Sequence, residues 1–242
     1  MKKVITSVHN QKIKDLLNLK KDKDAKFYLV EGEILVSLAL SLGLVVTLLS
    51  VEEVEETYPF EVILISKEVS KKLSSFKTSP NIFAVVAKNK LPLDLNKPLI
   101  YLDDVSDPGN VGTIIRSALA FDFGGVIASP RSASFYNEKV VNSAKGAHFH
   151  MPLLTISEDE LINFSKQNGY TLTVSRLKNA QETTKTTFSK KTLLVVGNEA
   201  HGVSEKINEA ADKAVYIPIK NIESLNVAIA ASIIMEKIAN NN

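Results

Sequence analysis

Few side chains in this 242-residue chain are placed to do chemistry, and they fall in three short blocks: DPGNVGTIIRSA at 107–118, VVGNEAHGVS at 195–204 and IPIKNIESLNVAIAA at 217–231. In the first, Asp107 and Pro108 make a turn, and Gly109 and Gly112 permit close backbone approach. The helix read from Val111 points its free N–H groups and positive dipole end at that turn, as an anion site requires. Arg116 lies one turn further in, where its guanidinium fork suits a phosphate held by two parallel hydrogen bonds. Arginine occurs only at 116, 131 and 176, so an arginine here says more than any lysine. In the second block Glu199 follows Gly197 and Asn198 directly after an apolar run, where a carboxylate either faces a crevice or favours a helix N-terminus. In the third, Ser224 and Asn226 precede an apolar helix that either residue can cap. Each block alone reads as an ordinary strand–turn–helix. All three in order, at the carboxyl ends of strands, describe one composite ligand site.

The elements that must position these turns alternate in type. Residues 27–87 read as a small α/β unit: strands at 27–30, 45–51, 62–66 and 82–87, with helices at 33–43 and 67–76. Gly43 stands where a helix stops. KNKLPLDLNKP at 88–98 has two prolines and no period, and reads as a connection. From Leu99 strands and helices alternate: strands at 99–104, 124–129, 152–155, 170–175, 193–197 and 214–219, helices at 111–121, 137–145, 158–168, 203–211 and 224–239. That pattern predicts a parallel sheet covered on both faces. The last helix is apolar nearly all round, which predicts burial in a core or against a second subunit. The expected division is therefore a domain at 1–90, a linker at 91–98 and a second domain at 99–242.

Composition narrows the classes. With 45% hydrophobic and 23% charged residues the chain is an ordinary globular protein. No apolar run reaches the roughly 18 residues that span a bilayer, and the N-terminus has no apolar h-region, so a cytoplasmic protein with no membrane partner is expected. The absence of cysteine excludes disulfides and thiolate metal sites. HFH at 148–150 and His201–Gly202 lack metal-ligand spacing, so no metal is expected. Neither GxGxxG nor a P-loop sequence is present. The net charge of +2 is distributed unevenly: residues 1–26 hold eight lysines against Asp15, Asp22 and Asp24. That excess suits a basic arm for a phosphate backbone, or equally a solvated amphipathic helix with Ile13, Leu16, Leu17 and Lys20 at helical spacing.

In order and spacing the three blocks resemble the SpoU (TrmH-like) branch of the SPOUT RNA methyltransferases, over residues 99–242. The resemblance implies a SPOUT-type parallel sheet with a C-terminal trefoil knot, and a homodimer formed through the knotted domain. It implies transfer of a methyl group from S-adenosyl-L-methionine to a ribose 2′-hydroxyl in structured RNA, with ribosomal RNA favoured over transfer RNA. Asn110, Arg116, Glu199, Ser224 and Asn226 match the family's catalytic positions; Gly197, Ile217 and Leu225 match those whose backbone cradles the cofactor. YLVEGEILVSLAL at 28–40 is similar to the opening of the L30e-like substrate-binding domain attached to many members. One departure stands out. Family members carry a glycine between the IP and ESLN of the third block, in a stretch about one residue longer; here Asn221 is nearest that position. Asn is the non-glycine residue that best tolerates a left-handed backbone, so the loop is expected to form. A non-catalytic RNA-binding protein that keeps the fold is the alternative.

Overall fold

A computed structural model describes residues 3–20, 22 and 25–240. The chain divides into two compact units: the residues up to Asn89 together with Tyr136–Val141, and Lys90–Phe135 together with the chain from Asn142 on.

The first unit contains β1 (Lys3–Ile5), α1 (Gln11–Leu19), β2 (Phe27–Glu31), α2 (Glu33–Ser41), β3 (Val45–Ser50), β4 (Glu61–Ile65), α3 (Lys67–Leu73) and β5 (Ile82–Ala87). Its sheet runs β1-β4-β3-β5-β2, with β5 antiparallel to both β2 and β3. Residues 3–20 of the lysine-rich stretch are built into this unit. β1 pairs with β4, and α1 buries Ile13 and Leu16 in the core beside Leu49, Ile63 and Phe83. Lys12 pairs with Glu61 and Lys20 donates to the Leu73 carbonyl. The helical alternative therefore describes this stretch, because burying two apolar side chains outweighs exposing them on a loose arm. Lys2, Lys21, Lys23 and Asp24 lie outside the described residues.

The elements that follow are β6 (Leu99–Asp103), α4 (Pro108–Ala120), β7 (Gly125–Ala128), α5 (Glu138–Ala144), β8 (Leu153–Thr155), α6 (Glu158–Gln167), β9 (Thr171–Ser175), β10 (Gln181–Glu182), β11 (Thr192–Gly197), α7 (Glu205–Ala210), β12 (Lys213–Tyr216) and α8 (Val227–Asn240). Seven parallel strands run β10-β12-β9-β11-β6-β7-β8. The central strands β6 and β11 are buried along almost their whole length, as a parallel sheet covered on both faces demands. β11 enters between β6 and β9, and β12 between β9 and β10, although β9 and β10 precede both in the chain. The segment read as a connection is packed rather than free. Leu93 and Leu95 lie against the core beside β6, and the Asp94 N–H donates to Gly124 O at 2.9 Å. A Cβ at position 124 would fall 2.1 Å from Asp94 O, so only glycine fits there.

Local chemistry sets the boundaries that matter for the site. α4 starts at Pro108, three residues before the expected start. Proline lacks only an N–H that the first turn leaves unused, and Asp107 caps the helix by accepting the Asn110 N–H at 2.9 Å. A side chain at Gly109 would crowd that cap, 2.9 Å from Asp107 Oδ1. β12 stops at Tyr216, leaving Ile217–Ile219 outside the sheet. α8 starts at Val227 because Asn226 caps it, its Oδ1 accepting the N–H groups of Ala228 and Ile229 at 2.9 and 3.3 Å. α8 then packs against α4 and β11, with Ser117 and Ser232 hydroxyls 2.7 Å apart. No helix among the described residues is long and apolar enough to cross a membrane.

Candidate active site

Strands β9, β11 and β12 end around one cavity of about 690 Å³. It lies beside the point where the strand order turns back between β6 and β11, the expected ligand position in an open α/β sheet. The turn after β11 forms one wall, and its geometry follows from its sequence. Asn198 and Gly202 exchange backbone hydrogen bonds at 3.0 and 2.8 Å, and Asn198 Oδ1 accepts the N–H groups of Ala200 and His201. Gly202 takes a left-handed φ of 72°. A Cβ on Gly197 would lie 2.1 Å from the Gly202 carbonyl carbon, so the turn closes only over a glycine.

The dipeptide Asp103–Asp104 at the end of β6 holds this turn from both sides. Asn198 Nδ2 donates to Asp104 O at 2.9 Å, and the Ser204 N–H donates to Asp103 Oδ2 at 2.7 Å. Asp103 is 2% exposed, and burial pushes its carboxyl above the usual aspartate range. Its Oδ1 and the Ser204 hydroxyl are buried without a hydrogen-bond partner among the described residues. Asp104 sits at φ 58°, fixed by Ser129 and by Arg131, whose Nε reaches Asp104 Oδ2 at 2.6 Å.

The residues expected from the sequence divide into two groups. Gly197, Glu199, Ile217, Ser224, Leu225 and Asn226 all line the cavity. Asn110 joins them through hydrogen bonds that span all three blocks: Asn110 Nδ2 donates to Glu199 Oε1 at 2.7 Å, and Asn226 Nδ2 donates to Asn110 Oδ1 at 3.0 Å. Asn226 thus both caps α8 and orients Asn110. Ser224 is exposed at the rim. Arg116 is apart from the cavity: it is exposed on α4 and makes no ion pair or hydrogen bond among the described residues. Asn221 sits at φ 68°, the left-handed conformation expected at that position.

Two residues of the site were not singled out from the sequence. Asp103 carries a readable signal, a carboxylate closing the otherwise apolar strand LIYLD. Arg176, one of three arginines, follows β9 directly and lines the cavity while its guanidinium reaches Asn208 Oδ1 at 3.1 Å. No group of three or more His, Asp or Glu that could hold a metal ion occurs among the described residues.

Comparison with known proteins bears on what this arrangement does. Residues 97–236 match the SpoU rRNA Methylase family. The chain is 33% identical to the 23S rRNA (guanosine(2553)-2′-O)-methyltransferase RlmP of Bacillus subtilis (strain 168), over 96% of this chain and 98% of that one. Among solved structures, the AdoMet-bound rRNA methyltransferase from Sinorhizobium meliloti superposes with a TM-score of 0.89 at 25% identity, covering 98% of this chain and 97% of that chain. The SpoU methyltransferase AviRb from Streptomyces viridochromogenes, in complex with AdoMet, gives 0.87 at 26% identity, covering 96% and 98%.

Proposed function

The chain belongs to the SpoU rRNA methylase family, and from that premise we propose that it methylates a ribose 2′-hydroxyl of 23S ribosomal RNA. The enzyme class is that of an RNA 2′-O-methyltransferase, and the cofactor is S-adenosylmethionine. The cavity fits that cofactor. Its volume falls in the range of about 300–1,000 Å³ usual for small-molecule sites. Ile217 and Leu225 supply apolar surface for a nucleoside, and Gly202, with open space where a side chain would stand, lets backbone approach it closely. When bound, the cofactor supplies an electrophilic methyl group.

The residues of the chain do the rest by positioning and charge. The observation that carries the proposal is the chain Asn226–Asn110–Glu199, which locks one polar group from each block at the edge of a single cavity. Glu199 keeps Oε2 as an acceptor for the ribose hydroxyl, while Asn110 fixes the carboxylate plane. Arg116 is a cation for an RNA phosphate and for the forming alkoxide, since a guanidinium does not give up its proton in proteins.

Arg116 lies outside the cavity of its own protomer, which supports a homodimer in which it serves the partner's site. Exposed Leu119 on α4 and Ile229 on α8 are the apolar surface for such a contact. The late entry of β11 and β12 between earlier strands supports a knotted chain, and the fold of the first unit supports an L30e-like RNA-binding role. A ribosomal RNA substrate corresponds to a cytoplasmic site of action.

The test is methyl transfer from labelled S-adenosylmethionine to unmethylated 23S rRNA transcript, with the product nucleotide mapped. A single ribose methylation is expected. Mixing Arg116→Ala protein with Glu199→Ala protein should restore part of the activity that each lacks. Failure of the wild-type protein to methylate, with the cofactor bound, would instead favour the non-catalytic RNA-binding reading.

A further inference from the structure

The first unit presents an aromatic ring to solvent on a turn tied to a buried carboxylate. Glu31, at the end of β2, is only 6% exposed. Its carboxylate accepts the Ser74 hydroxyl at 2.7 Å, the Ser75 N–H at 3.2 Å and the Ser75 hydroxyl. Ser74 Oγ in turn accepts the Phe76 N–H at 3.0 Å. Burying a carboxylate is costly unless hydrogen bonds replace its water, and here Ser74 and Ser75 of one surface turn donate to it. The result is an SSFK turn fixed by hydrogen bonds at Ser74, Ser75 and Phe76, with Phe76 47% exposed. Gly32, at φ 89°, starts α2 on the other side of Glu31, and its N–H donates to Ile82 O at 3.0 Å. Ile34, 81% exposed, stands on that neighbouring turn.

The charged residues next to Phe76 in the chain are mostly of one sign. Between Lys67 and Lys77 four lysines face one glutamate, Glu68. Lys71, Lys72 and Lys77 are exposed, and none is held in a salt bridge among the described residues. An apolar protein partner needs a contiguous apolar patch, whereas Phe76 is flanked in the chain by the exposed polar residues Ser75 and Lys77. A rigid aromatic face beside a cationic track instead matches single-stranded nucleic acid, whose bases stack while its phosphates pair with lysine.

We propose that Phe76 is a stacking platform for an unpaired base of the RNA substrate, with Lys71, Lys72 and Lys77 taking the adjoining phosphates. Glu31 is the positioning residue. It orders the turn before RNA arrives, so binding loses less conformational entropy. The proposal rests on the reading of the chain as an RNA methyltransferase.

The test uses the full-length protein and unmethylated 23S rRNA transcript, with filter binding at several salt concentrations and steady-state methyl transfer. Phe76→Ala should raise Kd and KM roughly tenfold, within the range set by base–aromatic stacking. It should leave kcat, affinity for S-adenosylhomocysteine and the salt slope unchanged. Phe76→Trp should restore binding. Replacing Lys71, Lys72 and Lys77 together by alanine should lower the salt slope by about 2, because each phosphate contact contributes roughly 0.7 to 0.9. Glu31→Gln should weaken RNA binding without lowering kcat. Kd and KM of Phe76→Ala within twofold of wild type, or no recovery with Phe76→Trp, would overturn the platform while leaving methyl transfer standing. A wild-type protein that neither binds nor methylates the transcript would instead remove the methyltransferase reading, and this proposal with it.

Discussion

The Asp103 carboxylate, at the last position of β6, accepts the Ser204 backbone N–H at 2.7 Å and thereby closes the turn that displays Glu199. Removing it as Asp103→Ala leaves that N–H buried without an acceptor, which costs about 1–3 kcal/mol. Asp103→Asn should be tolerated, since its amide oxygen can take the N–H and its NH₂ can serve the hydroxyl. The pH dependence has a definite sign. Because burial raises the folded pKa of Asp103, its contribution is most favourable below the unfolded value of about 3.9 and is lost as pH rises through the folded value. The stability advantage of Asp103→Asn over wild type, measured by urea unfolding, should therefore grow from acidic to neutral pH.

Asn110 touches both other blocks, so Asn110→Ala should affect chemistry more than folding. It cuts the hydrogen bonds to Glu199 and Asn226 but leaves the helix cap, which uses only the backbone of residue 110. We expect kcat to fall about 10²-fold, the scale of a lost positioning contact. S-adenosylhomocysteine affinity by calorimetry should change much less.

Gly197→Ala should abolish cofactor binding. Its methyl group would sit 2.1 Å from the Gly202 carbonyl carbon and 2.3 Å from the Val203 nitrogen, both backbone atoms that cannot swing aside. The turn must open, and calorimetry with S-adenosylhomocysteine should show no binding to a protein that remains folded by circular dichroism.

At Asn221 the backbone conformation makes a contrast between two substitutions. At φ 68° an alanine pays about 1–2 kcal/mol of left-handed strain, whereas glycine pays none. Asn221→Ala should weaken S-adenosylhomocysteine binding several-fold by displacing the loop before Ser224. Asn221→Gly should bind at least as well as wild type.

Much of this architecture is legible along the chain because it is written in local chemistry. Buried parallel strands read as apolar runs, the Asp107–Pro108–Gly109 turn carries its own cap, and the left-handed position in the third block holds an asparagine. The short strands β1 and β10 escaped, since three and two residues carry no period to read. The connection at 88–98 looked free because Leu93 and Leu95 find their partners only across the sheet.

The sequence by itself determined the three turns, their order and the residue types at their tips, because backbone conformation and capping depend on neighbours in the chain. Tertiary structure alone decided which tips meet. Strand order brings β11 beside β6 and so carries Glu199 to Asn110, 89 residues away in the chain, while α8 brings Asn226 to the other side of the same amide. It also left Arg116 facing outward on α4, because the face a helix buries is set by what packs against it, here α8 coming from the far end of the chain.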